Sequence, residues 1–158
     1  MRAVLQRVHQ ASVSVEGRIV GEIGSGVLAL VAATHTDGDD DVVTMARKIA
    51  ELRILADDTS IQDTVADSAA QRSDPPPRPA ATPPAVLVVS QFTLYGTTRK
   101  GRRPSWSAAA PGDVAEPLVD AVAHALRDRG IHVATGTFGA QMDVSLVNDG
   151  PFTLIVDT

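Results

Sequence analysis

A nearly unbroken run of apolar residues from Gly26 to Ala33 is the feature that most constrains the fold of this chain. A short continuous apolar run is typical of a β-strand that is buried on both faces. The run from Val86 to Val89 has the same character, and it too needs neighbouring strands to bury it. The sequence therefore predicts a sheet with at least one strand covered on both sides.

The N-terminal residues can supply neighbours for these strands. Arg2 to Val8, Ser12 to Val15 and Arg18 to Ile23 have the composition and spacing of strands, and Glu16-Gly17 is a turn signal. A meander is therefore predicted over residues 2–33.

Two helices are predicted from apolar spacing. The first follows an acidic triplet, Asp39 to Asp41, which suits the N-terminal end of a helix dipole better than a metal site. The second runs from about Asp113 to Arg129, and Pro117 indicates that its first regular turn begins slightly late. The apolar face of the first helix consists of Val42, Met45, Ala46, Ile49 and Leu52.

The C-terminal part is predicted to return to strands. They are Ile131 to Thr135, a half-buried strand around Val144, and Phe152 to Val156, with a hairpin turn signal at Asn148-Asp149-Gly150. The predicted elements follow the order strands, helix, strand, helix, strands. This order predicts an α/β fold with two sheet layers and one helical layer.

Residues 67–85 differ in composition from the rest, since they hold six of the ten prolines and no periodic apolar face. They are predicted to form a mobile, proline-rich insertion loop within a single domain of residues 1–158. The segment Pro75 to Pro79 can adopt a polyproline II conformation and dock into a partner groove, although a tolerated insertion explains it more simply.

Composition limits the class of function. A net charge of −5 argues against a surface that binds nucleic acid everywhere, so any RNA contact must be local. One cluster can serve, although a solvated loop explains it equally well: Arg99, Lys100, Arg102 and Arg103. An aromatic content of 3% argues against a stacking platform for successive bases.

The absence of cysteine and of a visible signal peptide or membrane span favours a cytoplasmic protein. No cofactor is expected, because the P-loop and dinucleotide-binding motifs are absent. The G-x-S-x-G elbow of many hydrolases is absent as well. No metal site is expected either, because the four histidines lack ligand spacing: His9, His35, His124 and His132.

The segment Ser90-Gln91-Phe92-Thr93 follows the second apolar run directly. At the end of a strand, backbone N–H groups without ladder partners can point at one oxygen and stabilise the charge that develops when an ester is attacked. The alternative is that these polar residues simply terminate the strand. Two interpretations are likewise open for Gly150-Pro151. It can be a turn that the proline stiffens, or its peptide bond can be cis, as about one X-Pro bond in twenty is.

Ordered segments along nearly the whole chain resemble the D-aminoacyl-tRNA deacylases, also called the D-tyrosyl-tRNA deacylase family. The two signatures are Ser90 to Tyr95 and Asn148 to Thr153. The other matching segments, in order, are Met1 to Val4 with Gln6 to Val8, Ala11 to Val13, Gly21 to Gly24, Arg99 to Gly101 with Arg103 to Ser105, and Phe138 to Ala140 before Met142.

The resemblance implies a compact single-domain β/β/α sandwich with mostly antiparallel strands and two main helices. It implies a homodimer that hydrolyses the ester between a D-amino acid, or mischarged glycine, and the terminal ribose of tRNA. Catalysis would use Ser90, Gln91, Phe92 and Thr93, with oxyanion donors at the Phe92 and Thr93 backbone and assistance from the ribose 2′-hydroxyl.

The resemblance also implies how substrate is bound. Gly150 and Pro151 would reach into the partner's pocket as a cis dipeptide and bind the substrate ammonium, with Asn148 in the same motif. Ala115 falls where the family has a small residue near the adenosine pocket. The chain departs from the family before its second apolar run, where Ser60 to Asp63 and the long insertion replace a shorter segment.

Two other functions remain possible at this point. A general esterase would use Thr93 as its nucleophile. A non-catalytic RNA-binding or protein-binding module would use the basic cluster or the proline-rich loop and would bind without turnover.

Overall fold

The computed structural model describes residues 1–70, 83–99 and 101–158, and these fold into one mixed sheet with helices on one face. The strands are β1 (Arg2–Val15), β2 (Arg18–Ile23), β3 (Gly26–Ala32), β4 (Ala85–Ser90), β5 (Val133–Thr135) and β6 (Asp143–Asp157). The helices are α1 (Asp39–Glu51), α2 (Ile61–Ala70) and α3 (Gly112–Asp128), with short 3₁₀ turns at Ala56–Asp58 and Phe92–Tyr95.

The strand order is β2-β1-β3-β4-β5, with β6 paired to β1. Strand β1 is antiparallel to β2, β3 and β6, whereas β3, β4 and β5 are mutually parallel. Parallel neighbours need long crossovers, and the segments that contain α1 and α3 provide them. The predicted α/β fold with mostly antiparallel pairing is confirmed.

The sheet folds over itself because β1 pairs with β3 through its first half and with β2 through its second half. Strand β2 is thereby brought over β5. A Cβ atom added at Gly21 of β2 would lie only 2.4 Å from the backbone oxygen of Thr135, so glycine is required at this close approach. The result is two sheet layers and a helical layer.

Strand β3 is buried on both faces, as predicted. Val27 and Ala29 pack toward the helices, and Leu28 packs between the sheet layers, all at 1% exposure or less. Helices α1 and α3 close the first core with Met45, Ile49, Val122 and Leu126. A second core lies between the sheet layers and consists of Val8, Ala11, Val13, Ile23, Leu28, Ala85, Leu87 and Val89.

Several boundaries differ from the sequence prediction. The residues predicted as two N-terminal strands form the single strand β1, which turns into β2 through Glu16 and Gly17 at φ of +51° and +75°. The predicted hairpin at Asn148-Asp149-Gly150 is wrong, because β6 continues through it. The Asn148 amide donates to the backbone oxygen of Arg7 at 2.7 Å, and this bond holds the irregular step against β1.

Helix α3 begins at Gly112 and contains Pro117, so the late start predicted for it is wrong. Pro117 is exposed, and the helix is already established before it by hydrogen bonds from the N–H groups of Val114 and Ala115 to Pro111. The missing donor therefore removes one bond without ending the helix.

The predicted loop over residues 67–85 is wrong at both ends, because residues 67–70 belong to α2 and Ala85 begins β4. A capping box starts α2: Ser60 N–H donates to Asp63 at 2.9 Å, and Asp63 N–H donates to the Ser60 hydroxyl at 3.1 Å. Residues 71–82 lie outside the described part of the chain. The mobility predicted for them therefore stays a prediction.

Candidate active site

A cavity of about 450 Å³ opens at the carboxyl ends of β3 and β4, beneath α3. The carboxyl ends of parallel strands meet at one edge of a sheet, which is where ligand sites form in such folds. The lining residues are Val31, Ala32, Ala33, Val89, Ser90, Gln91, Phe92, Ala110, Gly112, Ala115, Val119, Phe138, Gly139, Ala140, Gln141, Met142 and Val144.

Three of the four predicted catalytic residues lie on the wall of this cavity: Ser90, Gln91 and Phe92. Strand β4 ends at Ser90, and Gln91 extends the sheet by one hydrogen bond, from its N–H to the backbone oxygen of Val31 at 2.8 Å. The chain then turns into the 3₁₀ segment Phe92–Tyr95. Thr93 lies one residue beyond the wall.

The backbone N–H groups at this turn differ in whether they have hydrogen-bond acceptors. The first N–H groups of any helical segment have no intrahelical acceptor. Within the described residues, Gln91 N–H bonds to Val31 and Leu94 N–H bonds to Gln91, but the N–H groups of Phe92 and Thr93 have no acceptor. Two adjacent backbone donors therefore remain available at the rim of the cavity.

The Thr93 hydroxyl is not paired with a base. The Gln91 side-chain amide donates to the Thr93 Oγ1 atom at 2.5 Å. Among the described residues, no histidine or carboxylate forms a hydrogen bond with this hydroxyl. Nothing in this arrangement removes the hydroxyl proton.

The opposite wall is apolar and tightly packed. Ala115 of α3 lines the cavity at 6% exposure. An added Cβ at Gly136 would lie 2.7 Å from the Met142 sulfur, and one at Gly112 would lie 3.5 Å from the Phe138 ring. The cavity thus has a polar backbone edge at Ser90 to Phe92, and the rest of its lining is small or apolar apart from Gln141.

No titratable side chain lines the cavity in the part of the chain that the structure describes. Within the same residues, no three metal-ligating side chains cluster together. Tyr95 lies in the same 3₁₀ segment as Phe92, and burial raises its pKa to about 12. The described lining of the cavity therefore offers no side chain for acid–base chemistry.

Gly150 and Pro151 lie on β6, joined by a cis peptide bond, and neither lines the cavity of their own chain. Arg7 of β1 holds this segment. Its guanidinium donates to the backbone oxygens of Asp149 at 3.0 Å and Gly150 at 2.9 Å, and it forms a 2.9 Å ion pair with the Asp149 carboxylate.

Asn148 also supports this segment. Its amide nitrogen donates to the backbone oxygen of Arg7 at 2.7 Å, and its amide oxygen accepts from the Thr153 hydroxyl at 3.3 Å. The predicted binding residue therefore has its side chain engaged within its own chain. Sequence reasoning missed the role of Arg7, because its partners are more than 140 residues away and no local motif marks them.

The predicted basic cluster lies outside the cavity. Arg99, Arg102 and Arg103 are exposed on the loop between Thr97 and Ser105, and Lys100 is outside the described residues. Two backbone hydrogen bonds between Thr97 and Ser105, at 2.7 Å and 3.1 Å, close this loop. None of the described helices is long and apolar enough to cross a membrane.

Comparison with known proteins identifies the family. The family model described as D-Tyr-tRNA(Tyr) deacylase matches residues 4–157. The chain is 54% identical to a D-aminoacyl-tRNA deacylase of Beutenbergia cavernae, over 99% of both chains. It is 55% identical to a D-aminoacyl-tRNA deacylase of Kocuria rhizophila, over 100% of this chain and 94% of that one.

Two solved structures have the same fold. The structure of the c-Myc DNA Unwinding Element Binding Protein matches with a TM-score of 0.80 and 31% identity, over 100% of this chain and 99% of the other. That of a probable eukaryotic D-amino acid tRNA deacylase matches with a TM-score of 0.78 and 19% identity, over 99% of this chain and 98% of the other. Sequence similarity along nearly its full length and a shared fold therefore place this chain in the D-Tyr-tRNA(Tyr) deacylase family.

Proposed function

We propose that this protein hydrolyses the ester between a D-amino acid and the terminal ribose of tRNA, as a quality-control enzyme of translation in the cytoplasm. Relatives named D-aminoacyl-tRNA deacylase, at 54% identity over nearly the full length, support this activity. The observation that carries the proposal is the cavity itself: among the described residues, no titratable side chain lines it, and the backbone N–H groups of Phe92 and Thr93 at its rim have no acceptor.

The backbone edge suits ester hydrolysis. The carbonyl oxygen of the ester would accept hydrogen bonds from the N–H groups of Phe92 and Thr93. These donors would stabilise the oxyanion formed when water attacks the carbonyl carbon, an effect worth about 3 kcal/mol per donor. The bond to the ribose oxygen then breaks, that oxygen takes up a proton, and the free amino acid leaves.

The proton transfers need a group that the cavity wall does not supply. The ribose 2′-hydroxyl lies next to the ester in every aminoacyl-tRNA, so it can orient the attacking water or pass a proton to the leaving oxygen. The hydrogen bond from Gln91 to the Thr93 hydroxyl, and the lack of a base for that hydroxyl among the described residues, argue against Thr93 as a nucleophile.

Selection for D-amino acids would require a second subunit. The backbone oxygens of Gly150 and Pro151 would bind the substrate ammonium in the partner's cavity, and an L side chain would then collide with the wall. Glycine has no side chain and would enter, so glycyl-tRNA is a second substrate of this proposal. Asn148 would act indirectly, by fixing the segment that carries both oxygens.

A homodimer is consistent with the surface of β6. Gly150 and Pro151 are exposed, and so are three large apolar residues of the same strand, Leu146 at 36%, Val147 at 46% and Ile155 at 73%. A second copy would cover them. The basic cluster of Arg99, Lys100, Arg102 and Arg103 would contact the tRNA backbone outside the cavity.

The test is release of amino acid from matched D- and L-tyrosyl-tRNA, with a D-ester lacking the terminal 2′-hydroxyl as the third substrate. We expect rapid release from the D-ester alone and at least a hundredfold loss without the 2′-hydroxyl. A second test measures p-nitrophenyl acetate hydrolysis by wild type and Thr93→Ala. Hydrolysis that depends on Thr93 would support a general esterase instead, and binding of tRNA without release from either ester would support a non-catalytic module.

A further inference from the structure

Phe92 and Trp106 form an exposed aromatic pair at the mouth of the cavity. Phe92 lines the cavity and is 55% exposed, and Trp106 is 37% exposed. Their ring centroids are 5.9 Å apart with the planes at 67°, so the rings meet edge to face. Each of these partly exposed aromatic rings beside the cavity can offer a ring face to a planar ligand.

The indole of Trp106 is fixed by its surroundings. A Cβ atom added at Gly96 would lie 3.3 Å from the indole nitrogen, so the ring packs directly on the backbone that follows Phe92–Tyr95. The Thr97–Ser105 hydrogen bonds end one residue before Trp106, and Ala109 N–H donates to the Trp106 backbone oxygen at 3.0 Å. Such preorganisation lowers the entropy cost of binding a ligand on the ring.

Positive charge lies beside the aromatic pair. The loop closed by the Thr97–Ser105 bonds, here called the arginine loop, exposes Arg99, Arg102 and Arg103 on a chain whose net charge is −5. An aromatic surface next to guanidinium groups is the combination that binds single-stranded nucleic acid. The low aromatic content argued against a platform for successive bases, but the fold brings two of the five aromatic residues to one place.

We propose that Trp106 stacks on the unpaired nucleotide next to the terminal adenosine of tRNA, while the arginine loop binds the phosphates of the same strand. This inference rests on the proposed function, which places the ester in the cavity and the terminal nucleoside at its rim. The preceding cytidine of the single-stranded CCA end then leaves the cavity beside the aromatic pair. Trp106 would thus be a binding residue for the acceptor end and would take no part in the chemistry.

Fluorescence tests this contact directly, because Trp106 is the only tryptophan of the chain. Titration with the trinucleotide CCA should quench the emission saturably and less strongly at high salt, and adenosine alone should quench it much less. An emission that CCA leaves unchanged, in a protein that hydrolyses D-tyrosyl-tRNA, would overturn the inference. A blue-shifted emission that CCA leaves unchanged would overturn it too, since a second copy of the chain would then cover the ring.

Variants of Trp106 distinguish a stacking contact with the nucleotide from a structural role of the ring in supporting the cavity. Trp106→Leu should lower kcat/KM about tenfold more for D-tyrosyl-tRNA than for D-tyrosyl-adenosine, because stacking on one base is worth about 1–3 kcal/mol. Trp106→Phe keeps a flat ring and should recover most of the difference. Equal losses on both substrates would contradict a contact outside the cavity.

The two proposals fail in different ways. A wild-type protein that hydrolyses neither D-ester would refute the proposed deacylase, and this inference with it. A protein that hydrolyses both esters, with Trp106→Leu equal to wild type on each, would refute only the stacking contact.

Discussion

Residues 90–93 and residues 148–151 are held in place by different kinds of interaction. The first segment continues a strand buried on both faces, and backbone hydrogen bonds to β3 position it. The second lies on an exposed part of β6, and the side chains of Arg7 and Asn148 position it. Substitution of side chains should therefore disturb the proposed chemistry less than the proposed selection of the substrate.

The largest effect is expected from removing a backbone N–H donor in residues 90–93. Phe92→Pro deletes one N–H at the first position of a 3₁₀ segment, and the first helical position is the one where proline is over-represented. We expect kcat on D-tyrosyl-tRNA to fall about 10²- to 10³-fold below that of Phe92→Ala, which loses the ring but keeps the donor. Similar rates for the two variants would contradict a role for this N–H.

Arg7→Ala tests the segment that side chains hold. It removes hydrogen bonds to Asp149 and Gly150 and leaves the Asp149 carboxylate without its 2.9 Å partner. We expect about 2–3 kcal/mol lower free energy of unfolding, measured in urea, and at least tenfold weaker preference for D- over L-tyrosyl-tRNA.

Arg7→Lys is the matched control for this variant, since it keeps the charge but cannot reproduce the forked contacts. It should recover stability more than it recovers selectivity. Full selectivity in both variants would show that Gly150 needs no support from this side chain.

Thr93→Ala should have a much smaller effect, because the backbone N–H remains and the hydroxyl only accepts a bond from Gln91. We expect less than a fivefold change in kcat on D-tyrosyl-tRNA. A loss of several hundredfold would instead assign the Thr93 hydroxyl a direct part in the reaction.

The smallest expected effect is that of pH on kcat between about 5 and 6.5, where the α-amino group of the substrate stays protonated. The cavity wall has no titratable side chain among the described residues, and the Tyr95 pKa of about 12 keeps that phenol neutral. The profile of kcat should therefore lack a bell shape. A clear maximum with two flanking pKa values would point to an acid–base pair that the cavity wall does not show.

Stability should respond to acid instead. The Arg2 guanidinium, 2.7 Å from Asp157, lowers the pKa of that carboxyl, and hydrogen bonds from Ser60 lower that of Asp63. A lowered folded-state pKa gives stability that is present above the unfolded-state value and lost as pH falls through the folded-state value. The melting temperature should therefore fall only below about pH 4. This fall should be smaller in Asp157→Asn, because that variant lacks the Asp157 carboxylate.

Local sequence patterns predicted the buried parts of the fold well. The run from Gly26 to Ala33 marked a strand covered on both faces, because only burial on both sides tolerates such a sequence. The same logic predicted that a buried strand ends near Ser90, but it left open whether Ser90 to Phe92 form a site or only terminate the strand, and the site role came from the family resemblance. The parts of the fold that depend on backbone burial could thus be predicted from the sequence.

Patterns failed where distant contacts override a local signal. Asn148-Asp149-Gly150 has the composition of a turn, yet β6 pairs with β1 on both sides of this segment, at Asn148 and Thr153, so the chain does not reverse there as it would in a hairpin. The sequence patterns predicted no helix after the capping box of Ser60 and Asp63, and they assigned the last residues of α2 to the proline-rich loop. The role of Arg7 had no local signal, because its contacts with Asp149 and Gly150 form only when the two ends of the chain meet.

The hydrogen bond from Gln91 to Val31 has a consequence for amide hydrogen exchange. Amides of β4 up to Gln91 belong to the doubly covered part of the sheet and should exchange only when the whole domain opens. The next two, of Phe92 and Thr93, have no acceptor among the described residues and should exchange rapidly. The most protected and the least protected amides of this region would then be neighbours, and a bound ester analogue should slow only the second group.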